Sequence, residues 1–394
     1  MSEVNSSLAE NFSLIRGGPL HWLFVRTGLA GTDRDRVTNR TLLAVGLTWL
    51  PLLVLSFLQR LAYGPDITIP FLRDFAVNVR FLIALPILIM AESGIDRHWR
   101  NLVLQFLRSG LVDEKQLPSF EAVIKKITSL RDRVLPEALL IVVALIPSLF
   151  GKAELLMNGV NSWHTIGAGA GEISLAGWWF NIVSMPVFRF LLLRWIWRMV
   201  LWALFLWRVS RINLYLVATH TDLAAGLGFL SEGQKAFSPI VFAGGTVIAA
   251  QIGNAIAYEG ETLGSLKLPM LAYAFIAVAV LVVPLLVVTP VLIEVKKKAL
   301  LEYGALVTTH DQLFESKWIR KPNGQDGVIL GNPDPSSLID LGSSFAVIDQ
   351  MVPIPINRHA LVVLATAAAL PMLFVAFFVT PADQIIHTVL KMLG

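Results

Sequence analysis

The sequence predicts an all-α fold, a polytopic transmembrane helical bundle of about seven spans with amphipathic helices beside it. Three observations lead there. Of 394 residues, 55% are hydrophobic and 15% charged, whereas a soluble domain carries about 25% charge. The apolar residues are gathered into long runs, which a bilayer crossing requires and a water-soluble core does not. The Lys and Arg residues concentrate in alternate loops, the asymmetry that membrane topology imposes. That pattern accounts for the net charge of +4 better than a nucleic-acid partner does, and none is expected. The chain has no Cys, which excludes disulfides and thiolate chemistry. Its polar start lacks the short apolar core of a cleaved signal peptide.

In chain order, residues 1–40 form a polar segment bearing Arg16, Arg26, Arg34, Arg36 and Arg40. Within 41–92, spans one and two cover 41–59 and 75–92. Residues 93–134 read as two amphipathic helices broken near Pro118. Within 135–293, spans three to six cover 135–151, 176–198, 237–258 and 268–293. Residues 294–357 begin as a helical extension of span six and pass through the Gly/Pro-bearing loop "KPNGQDGVILGNPDPSS". They end in "LIDLGSSFAVIDQM", a short helix or strand. Residues 358–394 hold span seven, at 358–379, and an amphipathic tail with His387. The basic loops place the N-terminus, 93–134, the stretch after span four and 294–357 in the cytoplasm, and an odd span count places the C-terminus outside. Residues 176–210 are apolar almost throughout, and 35 helical residues reach about 52 Å. One long helix with a projecting or tilted end fits the charge pattern. Trp195, Trp197, Trp202 and Trp207 suit an interfacial stretch, and a short hairpin is the alternative. No internal repeat is evident.

Four arginines fall in or beside spans: Arg80, Arg189, Arg194 and Arg198, the last two one turn apart. Few acids balance them, since Glu137 and Glu294 lie near span ends. Buried arginine is costly unless it snorkels, pairs or lines a wet cavity, and an unbalanced set would favour anions. The plainer reading puts Arg80 at the outer interface and lets Arg194 and Arg198 snorkel at the inner one. Arg189 is the deepest. Span five, "VFAGGTVIAAQIGNAIAY", places Gly245, Ala249 and Gly253 at every fourth position, a face for close helix packing or for joining subunits in a homo-oligomer. Gln251 and Asn254 on the same span would bond across helices or meet a passing polar ligand. Prolines recur in most spans and kink helices, as transport proteins need and membrane helices generally tolerate.

The stretch "VATHTDLAAGLGFL" carries His220 and Asp222, and "VTTHDQLF" carries His310 and Asp311. Should the pairs meet beneath the bundle, two imidazoles and two carboxylates would suffice for zinc or manganese. Capping and hydrogen bonding is the plainer role, and a proton-linked role is a third. There is no H-E-x-x-H and no phosphate-binding Gly-rich loop, and no cofactor is called for. His164 belongs to an outer loop and His359 to the start of span seven. His21 and His98 read as surface or interface residues.

The blocks "TWLPLLVLSFL", "VRFLIALPILIMAE", "HTDLAAGLGFL", "LEYGALVTTHDQLFESKW" and "LIDLGSSFAVIDQMVPIPI" resemble a family of uncharacterised bacterial multi-pass inner-membrane proteins. In that family the third block more often has His-Pro-Asp followed by Ala-Gly-Gly. Thr221 stands here for the proline and Ala225 for the first glycine of the pair. The resemblance implies a bacterial inner-membrane location in contact with membrane lipids, and supplies no activity. Three functions compete: a channel or transporter for anions, a sensor or scaffold docking a cytoplasmic protein partner, and an enzyme acting on a lipid-linked substrate at the cytoplasmic face.

Overall fold

The computed structural model describes residues 6–29, Gly31, 34–65, 67–157, 161–166, 172–320 and 331–379. The tail carrying His387 and residues 321–330 of the Gly/Pro-bearing loop lie outside them. The chain is all-α. Its helices are α1 Ser7–Glu10, α2 Pro19–Arg26, α3 Arg34–Thr48, α4 Leu50–Leu58, α5 Phe75–Arg108, α6 Leu117–Arg131, α7 Val134–Met157 and α8 Leu175–Val209. They continue as α9 Phe229–Lys235, α10 Ser238–Tyr258, α11 Lys267–Leu286, α12 Thr289–Phe314, α13 Pro333–Asp349 and α14 Arg358–Val379. Among the described residues six helical stretches are long and apolar enough to cross a membrane, and the pair α6–α7, bent by 43°, makes up to seven. Among the described residues strand is confined to Thr165–Ile166 paired with Glu172–Ile173.

Three helical hairpins form the frame: α3/α4 with α5, α7 with α8, and α10 with α11. In the first two, the second helix is far longer than the bilayer needs. α5 has 34 residues and α8 has 35, a rise of about 51–53 Å against a hydrocarbon layer of about 30 Å. A single helix thus covers 176–210, and the hairpin alternative is not what forms. The overhanging ends build an aromatic core: Trp99 stacks on Trp202, with Phe106, Phe120 and Phe205 packed beside them and Phe12 from the N-terminal segment.

α5 and α8 share a local plan that the sequence reading missed. Each opens with a capping side chain, Asp74 accepting from the Val77 amide at 3.1 Å and Ser174 from the Gly177 amide at 2.8 Å. Each then runs five α-residues, five π-residues (Arg80–Ala84, Phe180–Ser184) and a proline one residue on, Pro86 or Pro186. The proline ring would clash with the preceding turn of a regular helix, and a widened π-turn just ahead of it relieves that. Side chains claim a carbonyl ahead of Pro186 and one ahead of Pro51. Ser148 donates to the Asn181 carbonyl, while the Asn181 amide returns a bond to the Ser148 carbonyl at 2.8 Å. Span one breaks at Trp49 ahead of Pro51, and Trp179 Nε1 donates to the freed Leu47 carbonyl at 3.1 Å.

Other boundaries differ from expectation. α5 runs unbroken past residue 92 to Arg108, and the break in 93–134 falls at 109–116, with Pro118 in the first turn of α6 where its missing N–H costs nothing. Span six stops at Leu286, and α12 starts afresh at Thr289 with Pro290 in its first turn. The final part of 294–357 is helix from Pro333, capped by the Asn332 side chain on Asp334 N. At its other end, Lys296 Nζ donates to the Asp349 and Met351 carbonyls at 2.7 and 3.0 Å. Span five packs on α14 within the chain. A Cβ on Gly245 would stand 2.8 Å from the Ala368 carbonyl, so glycine there permits the close approach and the face is already covered at that point.

Candidate functional site

Two polar centres are built at opposite ends of the frame. At the end carrying α1, α2 and α6, the basic end, Glu92 of α5 is buried among three guanidinium groups. Arg198 Nη2 lies 2.8 Å from its Oε1, Arg40 Nη1 3.3 Å from its Oε2 and Arg194 Nη1 3.9 Å from its Oε1. Arg194 Nε also lies 3.5 Å from Glu137 Oε1, whose other oxygen accepts from the Leu20 amide at 2.9 Å. The side chains of Arg40 and Arg198 are only 10% and 3% exposed. Arg198 lies over Trp195 and Arg40 over Phe24, so flat apolar rings shape the centre. Three arginines face two carboxylates, leaving one positive charge in excess. Arg40 Nε and Arg198 Nη1 are buried without a hydrogen-bond acceptor, which for charged donors costs more than for neutral ones.

Beside this cluster is a cavity of about 20 Å³ whose wall includes Arg16, His21, Arg40, Arg194, Glu92 and Ser93. His21 is held below the usual imidazole value, first by burial and then by the positive field of Arg131, Arg194, Arg40 and Arg16. A neighbouring carboxylate, Asp96, is wholly buried and fully engaged: it accepts from the Ser13 hydroxyl and pairs with Arg16 at 3.0 Å and Arg100 at 3.3 Å.

The arginines are partly balanced, by an acid that the sequence reading did not count, and one positive charge remains. Arg194 and Arg198 do not simply snorkel; they meet Glu92, which lies at the very position where span two was expected to end. The signal was present, two acids four apart (Glu92, Asp96) and two arginines four apart (Arg194, Arg198), each pair on one helical face. Arg80 lies near the start of α5 and Arg189 midway along α8, and the one nearer the end of its helix is the more buried. Arg80 is 7% exposed, with Nη1 3.5 Å from Met185 Sδ and its guanidinium over Phe188, and forms no salt bridge among the described residues. Arg189 is half-buried, with Nη1 3.3 Å from Ser148 Oγ.

At the opposite end Asp74 is the hub. Beyond capping α5 it accepts from Trp163 Nε1 at 2.9 Å and Asn254 Nδ2 at 2.8 Å. Asn254 Oδ1 accepts from the Phe75 amide at 2.9 Å, so that residue fastens span five to span two, while Gln251 is exposed. His164 stacks on Trp163 at 3.9 Å between ring centres, and burial pushes its value down to about 4.

The "VATHTDLAAGLGFL" stretch is a tight turn. Asp222 accepts from the amides of Ala224, Gly226 and Gly228 at 2.9, 3.1 and 2.7 Å, and His220 Nδ1 lies 2.9 Å from its Oδ1. Burial alone would raise the Asp222 carboxyl, but the three amides and His220 hold it below the ordinary range. Leu223, Ala225 and Gly226 adopt positive φ of 59°, 53° and 94°, a conformation costly for the first two. A Cβ on Gly228 would stand 2.8 Å from the Asp222 Cβ and 2.9 Å from its Oδ2. The turn also ties segments together: Val352 N donates to the Leu223 carbonyl at 2.8 Å and Tyr215 N to the Leu111 carbonyl at 2.9 Å. His310 bonds instead to Ser337 Oγ at 3.0 Å, and Asp311 is exposed. The four groups do not make a metal site: among the described residues no three His, Asp or Glu side chains are grouped to hold an ion.

A groove of about 540 Å³ between α5, α8, α10 and α11 is almost wholly apolar, and its wall contains neither Arg80 nor Arg189. Comparison with protein-family models, with curated proteins and with solved structures finds no match to this chain. The functional reading accordingly rests on this geometry.

Proposed function

We propose that this integral membrane protein recognises an anionic group at the Arg40–Arg194–Arg198 centre as the first step of transport, with the basic end on the cytoplasmic side. The observation that carries the reading is the surplus cation there, with buried N–H donors on Arg40 and Arg198 that lack an acceptor. A guanidinium in low dielectric surroundings gains most from an acceptor that brings negative charge. The two π-turns and the broken first span add hinges to the helices that carry the centre.

Chloride and nitrate flux from proteoliposomes tests this. Wild type is expected to exceed empty liposomes, Arg194→Gln and Arg40→Gln to cut flux about tenfold, and Arg189→Ala to leave it within about twofold, since Arg189 is not among the guanidinium groups that meet Glu92. Folded wild type with no flux of either anion at neutral and mildly acidic pH would sink the transport step. A second reading, docking of a cytoplasmic partner, has one observation in its favour: α12 and α13 expose Leu301, Leu313 and Ile339 at 77%, 65% and 68%.

A further inference from the structure

The surroundings of the arginine centre narrow what anion it takes. α2 is an eight-residue amphipathic helix that partitions two cavities. Its His21 and Phe24 face the small cationic cavity, while Leu20 and Leu23 face a groove of about 280 Å³ that it shares with Ala138 and Ile141 of α7 and Phe190 of α8. The two spaces meet across Glu137, which lines the groove, accepts from Leu20 N and pairs with Arg194. α2 is pinned at its start, by Gly18 N on Asp132 at 3.0 Å and Leu20 N on Glu137. Beyond that it exposes Trp22, Leu23 and Val25 at 64%, 54% and 48%, the composition of a helix lying in the membrane interface.

Size and charge then select the ligand. A cavity of about 20 Å³ admits roughly one oxygen-sized atom, too little for a whole phosphate but enough for one of its oxygens. The mouth is cationic, with Arg16 43% exposed, and the adjoining groove is apolar. A free anion would use the first feature and leave the second without purpose. We infer that the anion is the phosphodiester of an anionic phospholipid, one phosphate oxygen entering between Arg40 and Arg194 and an acyl chain lying along the α2–α7–α8 groove. This rests on the anion-centre reading above, and the arginine field that adds to burial in lowering His21 agrees with it, because an arriving phosphate would offset that field.

The test is thermal unfolding of the full chain in neutral detergent with added dioleoyl phosphatidylglycerol, dioleoyl phosphatidylcholine, inorganic phosphate or chloride. Phosphatidylglycerol is expected to raise the melting temperature by a few degrees and phosphatidylcholine to leave it unchanged. Arg40→Gln is expected to abolish the rise. Ala138→Trp, or Ile141→Trp should the first not fold, fills the groove and is expected to remove the phosphatidylglycerol effect while keeping any response to phosphate. Equal stabilisation by phosphate or chloride and by phosphatidylglycerol, indifferent to the groove variants, would overturn the lipid inference and leave the anion centre standing. No response to any anion would overturn both.

Discussion

Each end of the bundle buries an acid with three close partners, and the partners differ in kind. Asp74 collects neutral donors: the Val77 amide, the Trp163 indole and the Asn254 amide. Glu92 collects three guanidinium groups. Neutral donors at fixed angles fasten helices together and fill the acceptor positions of a carboxylate that keeps its own negative charge. Three cations on one acid, helped by Glu137, leave a surplus that only another negative group can answer. The first arrangement has its hydrogen bonds filled, and the second is the one for which an anionic ligand is proposed above. The lesson concerns buried charge generally: two acids buried alike differ in whether their donors are neutral or cationic, and only the cationic set brings a positive surplus.

The strongest way to break this comparison is to remove each acid in turn. Glu92→Gln strands three buried cations and is expected to cost about 3–5 kcal/mol, read as a large drop in melting temperature or loss of folded protein. A variant that melts like wild type would show the arginines to be satisfied without it. Asp74→Ala forfeits a cap and two directed bonds, with an expected loss of about 2 kcal/mol, and should loosen the α5 start, seen as faster amide exchange at Val77. Should the order of the two losses reverse, the distinction drawn between the ends fails.

A smaller effect sharpens it. His21 at one end and His164 at the other are both held neutral in the fold, the first by burial within a ring of arginines, the second by burial against Trp163. Because the unfolded chain binds these protons more readily, stability is full above about pH 6.5 and falls as pH drops from there toward the folded values. For His164 that window closes near about 4. Melting temperature should decline across it, His164→Phe should flatten the decline, and anionic lipid should flatten the His21 share only. A pH-independent melting temperature between 4 and 6.5 would contradict both assignments.

The frame was legible because long apolar runs and alternating basic loops are written locally, residue by residue. The centres were not. Glu92 reads in sequence as the polar end of a span, since nothing local says that α5 continues to Arg108 and carries it inward against α8. His21 reads as a surface residue because α2 is a short helix whose wall-like placement depends on Glu137 and Asp132, more than a hundred positions away. Asn254 admits two readings in sequence, a bond across helices or a passing ligand, and it bonds across helices, from span five to Asp74 and the Phe75 amide. The matching plans of α5 and α8 share caps, π-turns and prolines but few identical side chains, so geometry repeats where sequence does not.

The N-terminal segment has a consequence for the order of assembly. Ser6 Oγ bonds Glu121 at 2.6 Å across 115 positions, and Arg131 donates to the Ser13 carbonyl across 118. Phe12, wholly buried, packs on Phe205. At roughly 5–20 residues per second of translation, the first segment emerges and waits on the order of ten seconds for α6, and longer for α8, before it has a surface to join. During that interval Phe12 and Leu14 are exposed on a nascent chain whose first spans are already made. The N-terminal segment therefore docks only once α6 and α8 are made, after the spans that directly follow it, and a bulky fusion ahead of Ser6 would hinder that docking rather than insertion.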